Sequence, residues 1–198
     1  LLFSETHYRR AAEAYIKGLE RRAEAGGDLD NFSVASFFVS RWDKAVMGKL
    51  PADVNGKLGI AASVQCYRAY KEMFSGPRWE ALAAKGASPQ KLLFASTSTK
   101  DPAAPDTYYV SALAADETVN TIPEATLLAF ADHGEVTGTV TDADFAGADE
   151  VVRKCNEAGV DVEALGEQLQ IEGRDSFNSS WHDLMEAIEK KSKNLQTA

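Results

Sequence analysis

The stretch LLFASTSTKDP, Leu92 to Pro102, changes character in its middle: the apolar Leu92, Leu93 and Phe94 give way after Ala95 to two serines, two threonines and Lys100. A buried strand that empties into a polar loop leaves this mark. With Pro89 just ahead of it, a strand is expected over Lys91 to Thr97. The pattern occurs again in FSVASFFVSRW, Phe32 to Trp42, where a run rich in Val and Phe carries Ser33, Ser36 and Ser40 and ends on Arg41. Its near-continuous apolar character from Phe32 to Val39, after the polar DLDN, predicts a strand buried on both faces. Two strands that each end in hydroxyls and a cation pose the question of which anion they face.

Helical periodicity fills the chain around these strands. Ser4 is placed to cap a helix carrying Tyr8, Ala12, Tyr15, Ile16 and Leu19, which Gly26-Gly27 stops. A short helix is expected over residues 41–49, Pro51 interrupts, and a long helix over 56–74 carries the core stripe Ile60, Val64, Tyr67, Tyr70 and Phe74. Ser75-Gly76-Pro77 opens another helix that Gly86 closes. Asp106 is expected to cap a helix to about Ala114, Thr118 to Ile122 reads as a short strand, and Pro123 opens a helix that stops at Gly134. Thr141 with Asp144 resembles a capping box, Gly159 ends that helix, and two further helices are expected to the C-terminus. Leu1 to Ser4 read as the last residues of a strand already under way, so the chain is expected to be cut from a longer one.

Strands alternating with helices predict an α/β fold with parallel strands and helical crossovers. Four strands and their helices are about half of a (β/α)8 barrel, which typically needs about 250 residues. Residues 1–134 are therefore expected to form the C-terminal half of such a barrel, and residues 135–198 a closing helix and C-terminal helical extension of the same domain.

Composition restricts the partners. Among 198 residues, 21 Lys and Arg face 30 Asp and Glu, a net charge of -9, which disfavours nucleic acid and anionic membrane surfaces as nonspecific ligands. Any anion site has to be local. No apolar run reaches about 18 residues, and no basic segment leads into one, so neither a membrane span nor secretion is expected. Cys66 and Cys155 have no CxxC partner and read as reduced structural thiols of a cytoplasmic protein. His7, His133 and His182 have no ligand spacing with another His or Cys and read as solvated or helix-end residues, so no metal is expected.

In a barrel the residues just after each strand gather on the C-terminal face, where Ser36, Arg41, Ser96, Ser98, Thr99 and Lys100 would converge. Hydroxyls and backbone amides donate to phosphate oxygens, Arg grips two oxygens at once, and Lys adds a compact charge. The alternative is that Ser and Thr cap the following helices while Arg41 and Lys100 pair with Asp43 and Asp101.

Three separated motifs carry a family resemblance: Ala35 to Arg41, reading AxFFVSR; Ala95 to Pro102 followed by Asp106-Thr107-Tyr108-Tyr109-Val110; and TVNTIPEATL from Thr118 to Leu127. Together they resemble the transaldolase family in its long bacterial and plant branch. The opening LLFSETHYRRAAEAYIKGLE resembles the family's fifth strand and helix, and LQIEGRDSFNSSWHDL, Leu169 to Leu184, its C-terminal segment. The resemblance implies a (β/α)8 barrel of the class I aldolase type, here about strands five to eight. Its enzymes pass a dihydroxyacetone unit from sedoheptulose 7-phosphate to glyceraldehyde 3-phosphate through a lysine Schiff base, in the pentose phosphate pathway and without a cofactor. A sugar-phosphate aldolase of the same superfamily and a non-catalytic half-barrel binding module are the alternatives.

Residue by residue, the resemblance implies phosphate binding by Ser36 and Arg41, with Phe38 beside them in the pocket. On the next strand the better-known branch has an arginine near Ser98, which this chain lacks, so Lys100 or the segment Ser96 to Thr99 supplies the contact. The Schiff-base lysine and the acid/base carboxylates are implied upstream of Leu1, on the missing N-terminal half of the barrel. Lys100, on a polar loop beside Asp101, lacks the burial or neighbouring cation that would keep a nucleophilic lysine neutral. Trp181, with Phe177 and Leu184 at helical spacing, is expected to dock the tail onto the barrel.

Overall fold

The computed structural model describes residues 1–136 and 138–196, and the elements below refer to those residues. β1 (Ser33–Phe38) pairs in parallel with β2 (Gln90–Ala95), from Ser33 opposite Gln90 to Phe38 opposite Ala95. β2 in turn pairs in parallel with β3 (Val119–Asn120). The opening segment lies along the free side of β1 as a parallel bridge: the Leu2 N–H donates to the Ser36 carbonyl at 3.0 Å, and the Leu2 carbonyl accepts from the Phe38 N–H at 3.0 Å. The fold is thus α/β around a parallel sheet, with the strands where the apolar runs predict them and the fourth expected strand, Thr118 to Ile122, reduced to two residues.

Side chains alternate across a strand, and here the two faces differ. Ala35, Phe37, Leu92 and Phe94 are buried in one cluster with Tyr8, Val64, Tyr67 and Tyr70. Val34, Ser36 and Phe38 on the opposite face of β1 are only half-buried, which corrects the expectation of a strand buried on both faces. Apolar character on both faces marks what each face can bury, whereas the described residues cover one face fully and the other in part.

α1 (Glu5–Glu24) starts where Ser4 Oγ accepts from the His7 N–H at 3.1 Å, as the sequence predicts. α2 (Ser40–Val46) follows β1, α3 (Leu58–Met73) packs on α1 and on the sheet, and α4 (Gly76–Ala83) precedes β2. α5 (Tyr108–Ala112) is shorter than expected and has Thr107, not Asp106, at its N-cap, without a side-chain cap. α6 (Glu124–His133) follows β3, and α7 (Ala143–Glu157) packs on α3. Cys66 and Cys155 are free and buried. His7, read from sequence as solvated or helix-end, is buried instead: its Nδ1 accepts from the Phe3 N–H at 3.3 Å and its Nε2 lies 3.0 Å from Glu167 Oε1.

The C-terminal segment differs most from expectation. In place of two helices there is one, α8 (Val162–Gln196). No proline interrupts it, and the two glycines within it, Gly166 and Gly173, lie close against neighbouring residues: a β-carbon on Gly166 would sit 3.2 Å from Trp42 Cη2. Phe177, Trp181 and Leu184 do not dock. They are 55%, 60% and 49% exposed, because α8 extends past the residues it packs on. Among the described residues no helix is long and apolar enough to cross a membrane.

Asp43 of α2 ties these helices together. Its Oδ1 accepts from the Leu58 N–H at 2.9 Å, and its Oδ2 from the Gly59 N–H at 3.2 Å and the Tyr109 hydroxyl at 2.8 Å. The carboxylate thereby supplies the cap that Lys57 does not give α3. Burial pushes the Asp43 pKa up, against the opposing pull of these three donors. A folded-state pKa above the unfolded one means that ionising Asp43 takes away stability as pH rises from about 3.9 through the raised value. Tyr109→Phe removes one donor from the buried anion and is expected to cost about 1.5 to 3 kcal/mol at neutral pH, with the loss shrinking as pH falls toward about 4. Urea unfolding at both pH values checks this; an unchanged midpoint at neutral pH would show that the hydroxyl contributes nothing.

Candidate functional site

Beyond the ends of β1 and β2 the ladder continues for two more residues. The Val39 N–H donates to the Ala95 carbonyl at 2.9 Å and the Ser40 N–H to the Ser96 carbonyl at 3.0 Å. The two hydroxyls, Ser40 Oγ and Ser96 Oγ, then meet at 2.8 Å. Ser96 holds φ at 58°, the left-handed region that costs an L-residue about 1 to 2 kcal/mol. This strain turns the chain out of the sheet and sets the loop that carries Lys100. A cleft of about 480 Å³ opens here, with Ser40, Arg41 and Lys44 of α2 on one side, Ser96 and Lys100 on another, and Leu169, Glu172 and Ser176 of α8 closing it.

The alternative pairing of Arg41 and Lys100 with Asp43 and Asp101 does not form. Asp43 is taken up by α3 and Tyr109, and Asp101 Oδ1 accepts from the Ala103 N–H at 2.9 Å. Among the described residues Arg41, Lys44 and Lys100 make no ion pair, in a chain where acidic residues outnumber basic ones. The Arg41 guanidinium lies over the Phe38 ring, 5.4 Å from its centre, and Phe38 itself stacks on Phe3 at 5.4 Å. An arginine held by an aromatic face, with its N–H groups in no ion pair, is prepared to receive an anion.

Of the site residues read from sequence, Arg41, Ser96 and Lys100 share this cleft, and Phe38 supports it from beneath. Ser36 lies further down β1, on the half-buried face, outside the cleft lining. Ser98 Oγ accepts from Lys100 Nζ at 2.6 Å, while Thr99 Oγ1 donates to the Pro105 carbonyl at 2.8 Å and faces a neighbouring small crevice. Sequence reading left Lys44 out, although Arg41, Lys44 and Ala45 stand at i, i+3 and i+4 of one helix and so share a face.

The histidines lie elsewhere. His133 at the end of α6 contacts Asp106 and Asp132 at 2.9 and 3.1 Å, and the hydrogen bond to Asp106, then that to Asp132, raises its pKa. Among the described residues no group of three or more His, Cys, Asp or Glu side chains is placed to hold a metal ion. A slightly larger cleft, about 510 Å³ between α3, α5 and α7, gathers Lys57 and Asp144 with mostly small and aliphatic residues and brings no cations together.

Residues 1–188 match the family described as Transaldolase/Fructose-6-phosphate aldolase. The chain belongs to this family. Among curated relatives, the transaldolase of Parafrankia sp. is 46% identical over 196 residues, which cover 95% of this chain and 53% of the relative. The transaldolase of Frankia alni is 44% identical over 196 residues, and that of Thermobifida fusca 43% over 196, each again with 95% of this chain and 53% of the relative covered. The family resemblance read from the strand-end motifs is therefore borne out along nearly the whole chain. The chain spans about half the length of the curated relatives it matches.

Proposed function

We propose that this chain is the phosphate-binding half of a transaldolase, covering about strands five to eight of a (β/α)8 barrel. In this reading residues 1–134 are the half-barrel, and residues 135–198 its closing helix and helical extension. The whole enzyme moves a dihydroxyacetone unit between sugar phosphates through a lysine Schiff base carried by the other half. The observation that carries the reading is the meeting of Arg41, Lys44, Lys100 and Ser96 beyond two adjacent parallel strands; Glu172 of α8 also lines the cleft, but among the described residues none of the three cations forms an ion pair. Two sheet edges support the half-barrel: Leu2 makes a parallel bridge on one, and β3 pairs only with β2 among the described residues on the other. The half-buried face of β1 is the one a complete barrel would fill with side chains from the remaining strands.

Ser36, Ser98 and Thr99 belong to the same reading as hydroxyls near the substrate, with Phe38 in the pocket wall. The acidic balance and the buried free cysteines fit a cytoplasmic metabolic enzyme without nucleic-acid or membrane partners. The family description also includes fructose-6-phosphate aldolase, which would release free dihydroxyacetone. Products formed by the full-length protein from fructose 6-phosphate separate the two: transfer to an erythrose 4-phosphate acceptor supports the transaldolase, and dihydroxyacetone released without an acceptor supports the aldolase.

Within the site, Lys100 is the lesser cation. It is exposed, it already donates to Ser98, and a flexible ammonium gains less from a fixed phosphate than a guanidinium fork does. Lys100→Ala is expected to weaken inorganic phosphate inhibition by about 1 kcal/mol, roughly fivefold. A loss as severe as that of Arg41→Ala would make Lys100 the principal phosphate ligand of this loop.

A further inference from the structure

We propose that Gly173 of α8 is a positioning residue for Arg41; this rests on the phosphate reading of the site. Leu169, Glu172, Gly173 and Ser176 stand at i, i+3, i+4 and i+7, one face of the helix, and three of the four line the cleft. The fourth, Gly173, faces the cation itself. A β-carbon built on it would lie 3.3 Å from Arg41 Nη1, with Leu1 Cδ1 at 3.4 Å and Phe3 Cε2 at 3.5 Å.

Glycine inside a helix costs about 1 kcal/mol relative to alanine, and Gly173 is not among the glycines with positive φ. Its backbone would accept any residue; the space beside it would not. The Leu1 and Phe3 contacts would be ordinary van der Waals distances, whereas the guanidinium is crowded and is also the mobile end of its side chain. A methyl here therefore displaces Arg41 by a few tenths of an ångström, away from the position it takes over the Phe38 ring. A binding constellation has to be held within about 0.5 Å of its productive geometry, so a shift of a few tenths of an ångström uses up most of that margin and acts on binding more than on folding.

The test compares Gly173→Ala, Gly166→Ala and Arg41→Ala in the full-length protein, reading inorganic phosphate binding by calorimetry, its inhibition against fructose 6-phosphate, and thermal unfolding. Gly173→Ala is expected to weaken phosphate roughly three- to tenfold, to raise KM in parallel with kcat nearly unchanged, and to leave the melting temperature equal or higher. Gly166→Ala, on the same helix but against Trp42 and Ser4, is expected to leave phosphate binding unchanged. In an Arg41→Ala background Gly173→Ala should have no further effect on phosphate. If Gly173→Ala alone failed to fold, the double variant, in which no guanidinium opposes the methyl, should fold; its failure would overturn the inference. Wild-type phosphate affinity in Gly173→Ala, with Arg41→Ala impaired, would overturn the positioning role alone. Unimpaired phosphate binding in Arg41→Ala would overturn the phosphate reading and this inference with it.

Discussion

Replacing Arg41 with alanine in the full-length protein is expected to raise KM for fructose 6-phosphate roughly thirty- to hundredfold, corresponding to about 2 to 3 kcal/mol for a charge-assisted, two-pronged contact. The magnitude follows from the surroundings of the side chain. The guanidinium is half-buried over Phe38, lies beside Gly173 of α8, and makes no ion pair among the described residues, so its donors are available and already oriented. Folding should be little affected, because Arg41 makes no ion pair whose loss would leave a buried charge. The cost should appear in substrate and phosphate affinity together. An unchanged KM would reduce Arg41 to a charge at the start of α2.

The second large effect is an absence. Residues 1–198 expressed alone are expected to show no transaldolase turnover and no borohydride-trapped adduct with fructose 6-phosphate. A lysine nucleophile has to be neutral, and an unperturbed lysine, with a pKa of about 10.4, is neutral in less than about one molecule in a thousand at pH 7. Burial or an adjacent cation is needed to change that. Lys100, the lysine of the strand-end loop, is exposed and donates to Ser98, and Lys44, which lines the same cleft, is exposed too, so neither has the required burial. Mass spectrometry after trapping decides the matter: a stable adduct on Lys100, or on any other lysine of this chain, would refute the assignment of the nucleophile to the other half of the barrel.

What was legible in the sequence was local. The apolar runs ending at Val39 and Ala95 gave the strands, their parallel pairing and the polar ends, because burial and the switch to hydroxyls are written in consecutive residues. Ser4 as a helix cap was equally readable. Contacts between distant residues were not. Asp43 meets Tyr109 across 66 positions, and no spacing rule connects a carboxylate on one helix with a phenol on another. This capture of Asp43 also released Arg41 from the pairing that adjacency invited. The positive φ of Ser96 was hidden because serine does not advertise the left-handed region as glycine does. On α8 the period of Phe177, Trp181 and Leu184 was seen correctly as an apolar face, but a periodic face says nothing of what lies opposite, and here the described residues leave it exposed. Gly173 carries no signal of its own in the sequence, and its close approach to Arg41 is visible only in the structure.

The most direct measurement is a crystal structure of the full-length protein with fructose 6-phosphate bound. The phosphate is expected between the Arg41 guanidinium and Ser96, with Lys100 in reach and α8 closing the far side. A phosphate bound elsewhere, with Arg41 and Ser96 untouched, would contradict the central claim that the ends of β1 and β2 form the sugar-phosphate site.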